Sequence, residues 1–209
     1  MRTPKSVKSL EEFGRIRLSK SFFMRDFLYS EISQIESIPN IPKNPDHVVE
    51  VGRRLCEEVL EPMQVKLGRI AIRSAYRSPD VNEKGAENNN QYNCAKNEAN
   101  YGGHIWDFPT LEGVKGATAC IVVPSFLDYY ERTGHWQALA WWIHDNIPGY
   151  SSMYFFPKLA ALNITWSEQP EKRIDSYVAP KGCLTKPGAP NFEGRHESEY
   201  REFIASLET

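Results

Sequence analysis

The segment Ile70-Ala-Ile-Arg-Ser-Ala-Tyr-Arg-Ser-Pro79 constrains this chain more than any other. Ile70, Ile72 and Ser74 alternate with Ala71 and Arg73, which is the period of a β-strand. Pro79 keeps the residue before it out of helical backbone, so the strand ends in a Ser-Pro turn. That turn fixes where Arg77 points. The fold must therefore deliver a cation from the end of a strand.

The elements around this strand read as a mixture without βαβ regularity. Leu18-Ser-Lys-Ser-Phe-Phe-Met-Arg-Asp-Phe-Leu28 reads as an extended lead into a short helix near Asp26. Asn44 is placed to cap a helix that has Pro45 at its first position and Asp46 beside its positive end. Val48, Val51, Leu55, Val59 and Met63 then follow helical spacing. Pro62 should kink its last turn, and Gly68 should end it. Residues 80–103, including Asn88-Asn-Asn-Gln91, form a polar stretch too long for a mere connection, and a functional or partner-binding loop is expected there. A second strand is expected around Ile105 to Phe108. Two helices split at Gly134 follow, then strands near Tyr154-Phe155 and Leu162 to Trp166, and a C-terminal helix marked by Tyr200, Phe203, Ile204 and Leu207. This pattern reads as an α+β domain.

Composition closes off several classes. The 209 residues suit one large domain, and 41% hydrophobic with 12% aromatic content allows a sizeable core. A net charge of −2 gives no global attraction to nucleic acid or to an anionic membrane surface. No apolar run reaches the length of a membrane span, and the basic start is not followed by the apolar core of a signal peptide. Synthesis in the cytoplasm is expected, with incorporation in a virus-like particle as a further expectation, and with reduced thiols: Cys56, Cys94, Cys120 and Cys183 are scattered and show no Cys-x-x-Cys pair.

The Tyr76-Arg-Ser-Pro79 turn followed by Asn82, the Ser-x-x-Phe lead into a helix, and the long amphipathic helix before the strand resemble the zinc D-Ala-D-Ala carboxypeptidases, which trim peptidoglycan peptides in bacteria and phages. The resemblance covers about residues 18–170. It implies a Hedgehog/DD-peptidase-like fold, a small antiparallel sheet flanked by helices. It leaves residues 1–17 as a basic N-terminal arm. Residues 171–209 become an extended C-terminal arm with a docking helix, able to reach a neighbouring subunit.

In that family zinc is held within a His-x-x-Gly-x-Ala-x-Asp pattern and by a second His after a downstream Trp. The ion lowers the pKa of a bound water and polarises the scissile carbonyl. Here Gly103-His-Ile-Trp-Asp107 aligns with the Gly-x-Ala-x-Asp portion, so Asp107 falls on the Asp ligand. Asn100 stands where the first His belongs, and Ser167 follows Trp166 where the second belongs. Amide and hydroxyl side chains bind zinc poorly. His104 is the nearest substitute ligand for Asp107, but on a strand these two side chains point to opposite faces. Arg77 is kept, and the resemblance places it and Tyr76 against the substrate. Glu168 is the candidate lone acid or base, and Asp107 without its partners is expected to pair with Arg77.

Three functional readings follow. The first is a peptidase-like domain that has lost zinc and catalysis and binds or builds, for instance in a phage or phage-like particle. The second is an active zinc peptidase on peptidoglycan peptides, with ligands rearranged among Asp107, His104 and His144. The third is a non-catalytic cell-wall binding module that holds a carboxylate-bearing peptide at Arg77. The expected partners are a peptidoglycan peptide or other subunits of an assembly. No cofactor is expected unless the second reading holds, in which case zinc is.

Overall fold

The computed structural model describes residues 1–87 and 92–207. It is α+β: six strands form one mixed sheet in the order β1-β2-β4-β3-β5-β6, flanked by helices. The strands are β1 (Ala71–Ser74), β2 (Gly116–Val122), β3 (Tyr150–Phe155), β4 (Leu162–Ser167), β5 (Arg173–Ser176) and β6 (Gly182–Thr185). All neighbours pair antiparallel except β3 and β5, which are parallel. The expected purely antiparallel sheet is thus a mixed one. The C-terminal segment expected to run as an arm adds two strands to its edge.

Alternation along the central strands separates two faces. Ala117, Ala119, Ile121, Met153, Phe155, Leu162, Ile164, Trp166 and Ile174 are buried on one face. Thr118, Cys120, Ser152, Tyr154, Asn163, Thr165, Arg173 and Asp175 alternate with them on the other. Helix α3 (Pro45–Leu55) covers the apolar face over β2 and β4, and α7 (Gln137–Asn146) covers it beside β3. The C-terminal α8 (Glu197–Ser206) packs on α7. Each large side chain sealed in this layer contributes about 1.5–3 kcal/mol through removal of apolar surface from water.

The helix expected after Asn44 does form, and its proline is absorbed without a break. α3 passes through a π-type turn (Cys56–Leu60) into α4 (Glu61–Leu67). Pro62 has no N–H for the carbonyl of Glu58, and the wider turn accommodates that loss. The Glu58 carbonyl instead lies against Gly149, where a Cβ would approach it to 2.4 Å. Gly68, at φ +77°, ends the helix as expected. Asn44 occupies the cap position, but its side chain makes no cap bond. Its backbone N–H is used elsewhere, as shown below.

The strand expected at Ile105 to Phe108 does not form. Residues 102–108 turn, with one isolated bridge between Tyr101 and Ile105. Ile105 and Trp106 are adjacent and both buried, which one face of a half-covered strand does not allow. Gly102, at φ +67°, supplies the backbone the turn requires. Trp106 is anchored by its indole N–H on the Thr118 carbonyl at 3.1 Å and packs against Phe27 and Tyr76. The N-terminal segment expected as a basic arm contains a capped helix, α1 (Val7–Gly14), whose Phe13 joins the core.

Candidate functional site

Arg77 is aimed by a turn tied down from several sides. Asn40 is the buried hub: its amide donates to the carbonyls of Leu28 and Tyr76, both at 2.9 Å, and its oxygen accepts the Ser78 N–H at 2.7 Å. Ser78 caps α5 (Pro79–Gly85), and the Arg77 N–H donates to the His104 carbonyl at 2.8 Å. One helical turn further on, the fully buried Asn82 organises the long polar loop. Its amide donates to Ala95 O at 3.0 Å and Asn97 Oδ1 at 2.9 Å, and its oxygen accepts from Asn100. The loop expected to do more than connect thus forms a wall beside Arg77. Its Asn88-Asn-Asn-Gln91 tip lies outside the described residues.

This wall and the polar face of the sheet enclose a cleft of about 980 Å³. Arg73, Arg77, Lys158, Cys94, His104 and Asn163 line it. Arg73 enters at a bulge, since two residues of β1 advance for one of β2 between Ile72 and Ser74. Lys158 enters from the β3–β4 turn, where Leu159 (φ +60°) and Ala160 (φ +44°) hold left-handed backbone at a cost of about 1–2 kcal/mol each. Cys94 comes within 2.6 Å of Arg77 Nη1. It can do so because Gly85 leaves room, as a Cβ there would fall 2.6 Å from the thiol sulfur.

The cleft is short of negative charge. Among the described residues, Arg73, Arg77 and Lys158 form no ion pair with a carboxylate, and Glu31 is the only acid in the wall. Arg77 Nε is buried with no hydrogen-bond partner. Burial pulls the Arg77 pKa below its ordinary value, with nearby Cys94 acting the other way. Burial, helped by the charge of Arg77, drives His104 down to about 3, so its ring is neutral at ordinary pH. His104 Nδ1 lies 2.8 Å from the Ala75 carbonyl, which fixes the ring orientation.

The other residues singled out by sequence lie elsewhere. Contrary to the expected pairing, Asp107 does not meet Arg77. Its oxygens accept the Tyr76 hydroxyl at 2.6 Å and the Asn44 N–H at 2.7 Å, in the interior. Burial raises the Asp107 pKa, and the Tyr76 hydroxyl opposes that rise. Tyr76 is itself fully buried, pushed up by burial and then by Asp107, and it takes no part in the cleft wall. Glu168 is exposed just past β4 and accepts the Lys115 N–H at 3.1 Å. Ser167 pairs with Gly116 at the end of β4. The Asn100 amide donates to Asn82 and Ala95.

These groups do not fit a zinc centre. The Asp107 carboxylate is engaged on both oxygens, and Asn100 and Ser167 offer an amide and a hydroxyl. Among the described residues, the one set of three His, Cys, Asp or Glu side chains with ligand atoms within 4.8 Å of one another is His144, Asp145 and His196. That set is closed by protein partners. His196 Nδ1 faces Asp145 at 2.8 Å and its Nε2 faces Asn191 O at 2.9 Å. His144 meets the Tyr150 hydroxyl at 2.5 Å and Phe192 O at 3.0 Å. Tyr200 and the His196 N–H complete the Asp145 shell, and the His196 ring stacks on Trp141 at 3.8 Å. The set acts as a clasp that fastens the C-terminal segment to α7.

The sequence pattern did not place Arg73, Lys158 or Asn163 at the site. An arginine on the strand that leads to the Arg77 turn was a usable signal for the first. The others depend on which loops meet over the sheet. No protein-family model, curated protein or solved structure matches this chain.

Proposed function

We propose that this chain is a binding domain of DD-peptidase ancestry, with a Hedgehog/DD-peptidase-like fold, that works without zinc and without hydrolysis. It holds a carboxylate-bearing peptide of the peptidoglycan type at Arg77. The observation that carries this reading is Arg77 itself, whose buried Nε has no acceptor while Arg73 and Lys158 share its cleft without carboxylate partners. A buried donor left unpaired costs about 1–3 kcal/mol, and a carboxylate ligand would remove that cost through charge-assisted bonds. The class of ligand rests on the resemblance at the Tyr76-Arg-Ser-Pro79 turn, which implies a substrate-facing Arg77, while Asn100 and Ser167 are residues unsuited to zinc.

The test is a peptidoglycan pull-down with the full chain and with Arg77→Ala, alongside metal content by plasma mass spectrometry and an assay for released D-alanine. Retention that falls in the variant, with no stoichiometric zinc and no released product, supports the reading. Near one zinc per chain with release of D-alanine would replace it with the active-peptidase reading.

A further inference from the structure

The Arg77 cleft does not end at its cationic wall. A second hollow of about 340 Å³ continues over the polar face of the sheet and shares Asn100, His104 and Asn163 with the first. Its floor is a cross-strand rung in register: Thr118 beside Thr165, Thr165 beside Ser152, and Ser152 beside Arg173. The charges here are already answered, since Arg173 grips Asp175 through two bonds of 2.6 and 2.8 Å. Glu171 in the same wall disfavours a further anion. What remains is neutral hydroxyl and amide chemistry.

Three aromatic rings stand between the two hollows. Tyr154 faces the second hollow, and Phe156 and Tyr177 face the first. Tyr154 lies 4.7 Å from Tyr177 and 5.6 Å from Phe156, centroid to centroid, and Tyr177 remains 54% exposed. Tyrosine is the ring suited to a ligand with one apolar face and a wet edge. Tyr177 follows β5, so the segment added beyond the peptidase-like region supplies this platform.

Cations without carboxylate partners among the described residues at one end, rings in the middle and uncharged donors at the other end define a ligand that is negative only at one end. A polyanion such as single-stranded nucleic acid would place phosphates beside Glu171 and Asp175, where the groove opposes them. We propose that the second hollow is a sugar subsite: the ligand is a glycopeptide whose carboxylate sits at Arg77 and whose neutral N-acylated pyranose lies over Tyr154 and Tyr177. This inference rests on the peptide-binding reading above.

The experiment is calorimetric titration of the full chain with two probes: a stem peptide ending in a free carboxylate, and the same stem attached to an N-acetylated disaccharide. The disaccharide-peptide is expected to bind about tenfold more tightly. Tyr154→Ala should erase that gain and leave the affinity for the bare peptide unchanged, and Tyr154→Phe should keep the gain. Tyr154 lies half-buried on the polar face of β3, outside the core, so the alanine variant should fold, and circular dichroism checks this. Equal affinities for the two probes, or a gain that survives Tyr154→Ala, would overturn the sugar subsite and leave the Arg77 reading standing. Peptide binding untouched by Arg77→Ala, or tighter binding of a single-stranded oligonucleotide than of either probe, would overturn both.

Discussion

Around Asp145, every ring nitrogen and carboxylate oxygen of the His144–Asp145–His196 group meets a protein partner, whereas around Arg77 the guanidinium Nε meets none. Both places gather histidine, charge and aromatic rings, and by residue type alone the first looks more like a metal or catalytic centre. Hydrogen-bond satisfaction separates them. Buried polar groups in a settled structure are paired, so a closed network signals architecture and an open one signals a missing partner. Asp107 belongs with the closed class, although its position in the sequence pattern had pointed to chemistry.

The comparison is broken or sharpened by variants on each side. The largest effect is expected at the clasp. Asp145→Ala leaves His196 without its carboxylate and Tyr200 without its acceptor, and breaking a buried pair of this kind costs about 3–5 kcal/mol. Denaturant unfolding should show that loss, and the same protein below its transition should still bind the carboxylate peptide.

Acid comes next. His104 is held neutral with its pKa near 3, while the unfolded chain protonates at an ordinary value of about 6.5. Between these values the unfolded state binds more protons, so this group's contribution to stability is full above pH 6.5 and is lost as pH falls towards 3. Each unit of difference is about 1.4 kcal/mol. His104→Gln should flatten the unfolding free energy across that window, measured by denaturant titration at a series of pH values.

Tyr76→Phe removes one of the two bonds on buried Asp107 and should cost about 1.5–3 kcal/mol, again with ligand binding intact. Arg77→Ala should behave in the opposite way. Its stability change should stay within about 1 kcal/mol, because the side chain has no carboxylate partner to lose, while peptide affinity collapses. The smallest effect is expected at Leu159, where glycine relieves a left-handed residue; Leu159→Gly should raise stability by up to about 1 kcal/mol in thermal unfolding.

Much of the frame was readable from residues alone. The amphipathic run from Val48 to Met63 and the alternating strand before Arg77 carry their periods openly. Gly68 and Gly134 mark real ends, each with positive φ. What escaped did so for physical reasons. β2, the strand at the sheet's interior, reads Gly-Ala-Thr-Ala-Cys-Ile-Val, whose small residues are weak strand formers and whose burial on both sides removes alternation. The Ile105-Trp106 turn looked like a strand because both residues are apolar, yet they are buried by a folded-in turn. β5 and β6 look like an irregular arm rich in Pro and Gly until β3 provides an edge.

The site was half legible. Arg77 was identifiable from its turn, and Asn40 anchors that turn. Its companions Cys94, Lys158 and Asn163 come from three separate loops or strands, and only tertiary contacts bring them together. The misplacement of Asp107 has the same root: pattern alignment fixes a position along the chain, and the turn at Gly102 sends the side chain to the interior, where Tyr76 and Asn44 receive it.

The most direct test of the claim that Arg77 awaits a carboxylate is a pair of titrations of the intact protein, with a peptidoglycan stem peptide and with the same peptide amidated at its C-terminus. The account predicts that amidation weakens binding about tenfold or more, because it removes the charge that Arg73, Arg77 and Lys158 lack. Equal binding of acid and amide would contradict it.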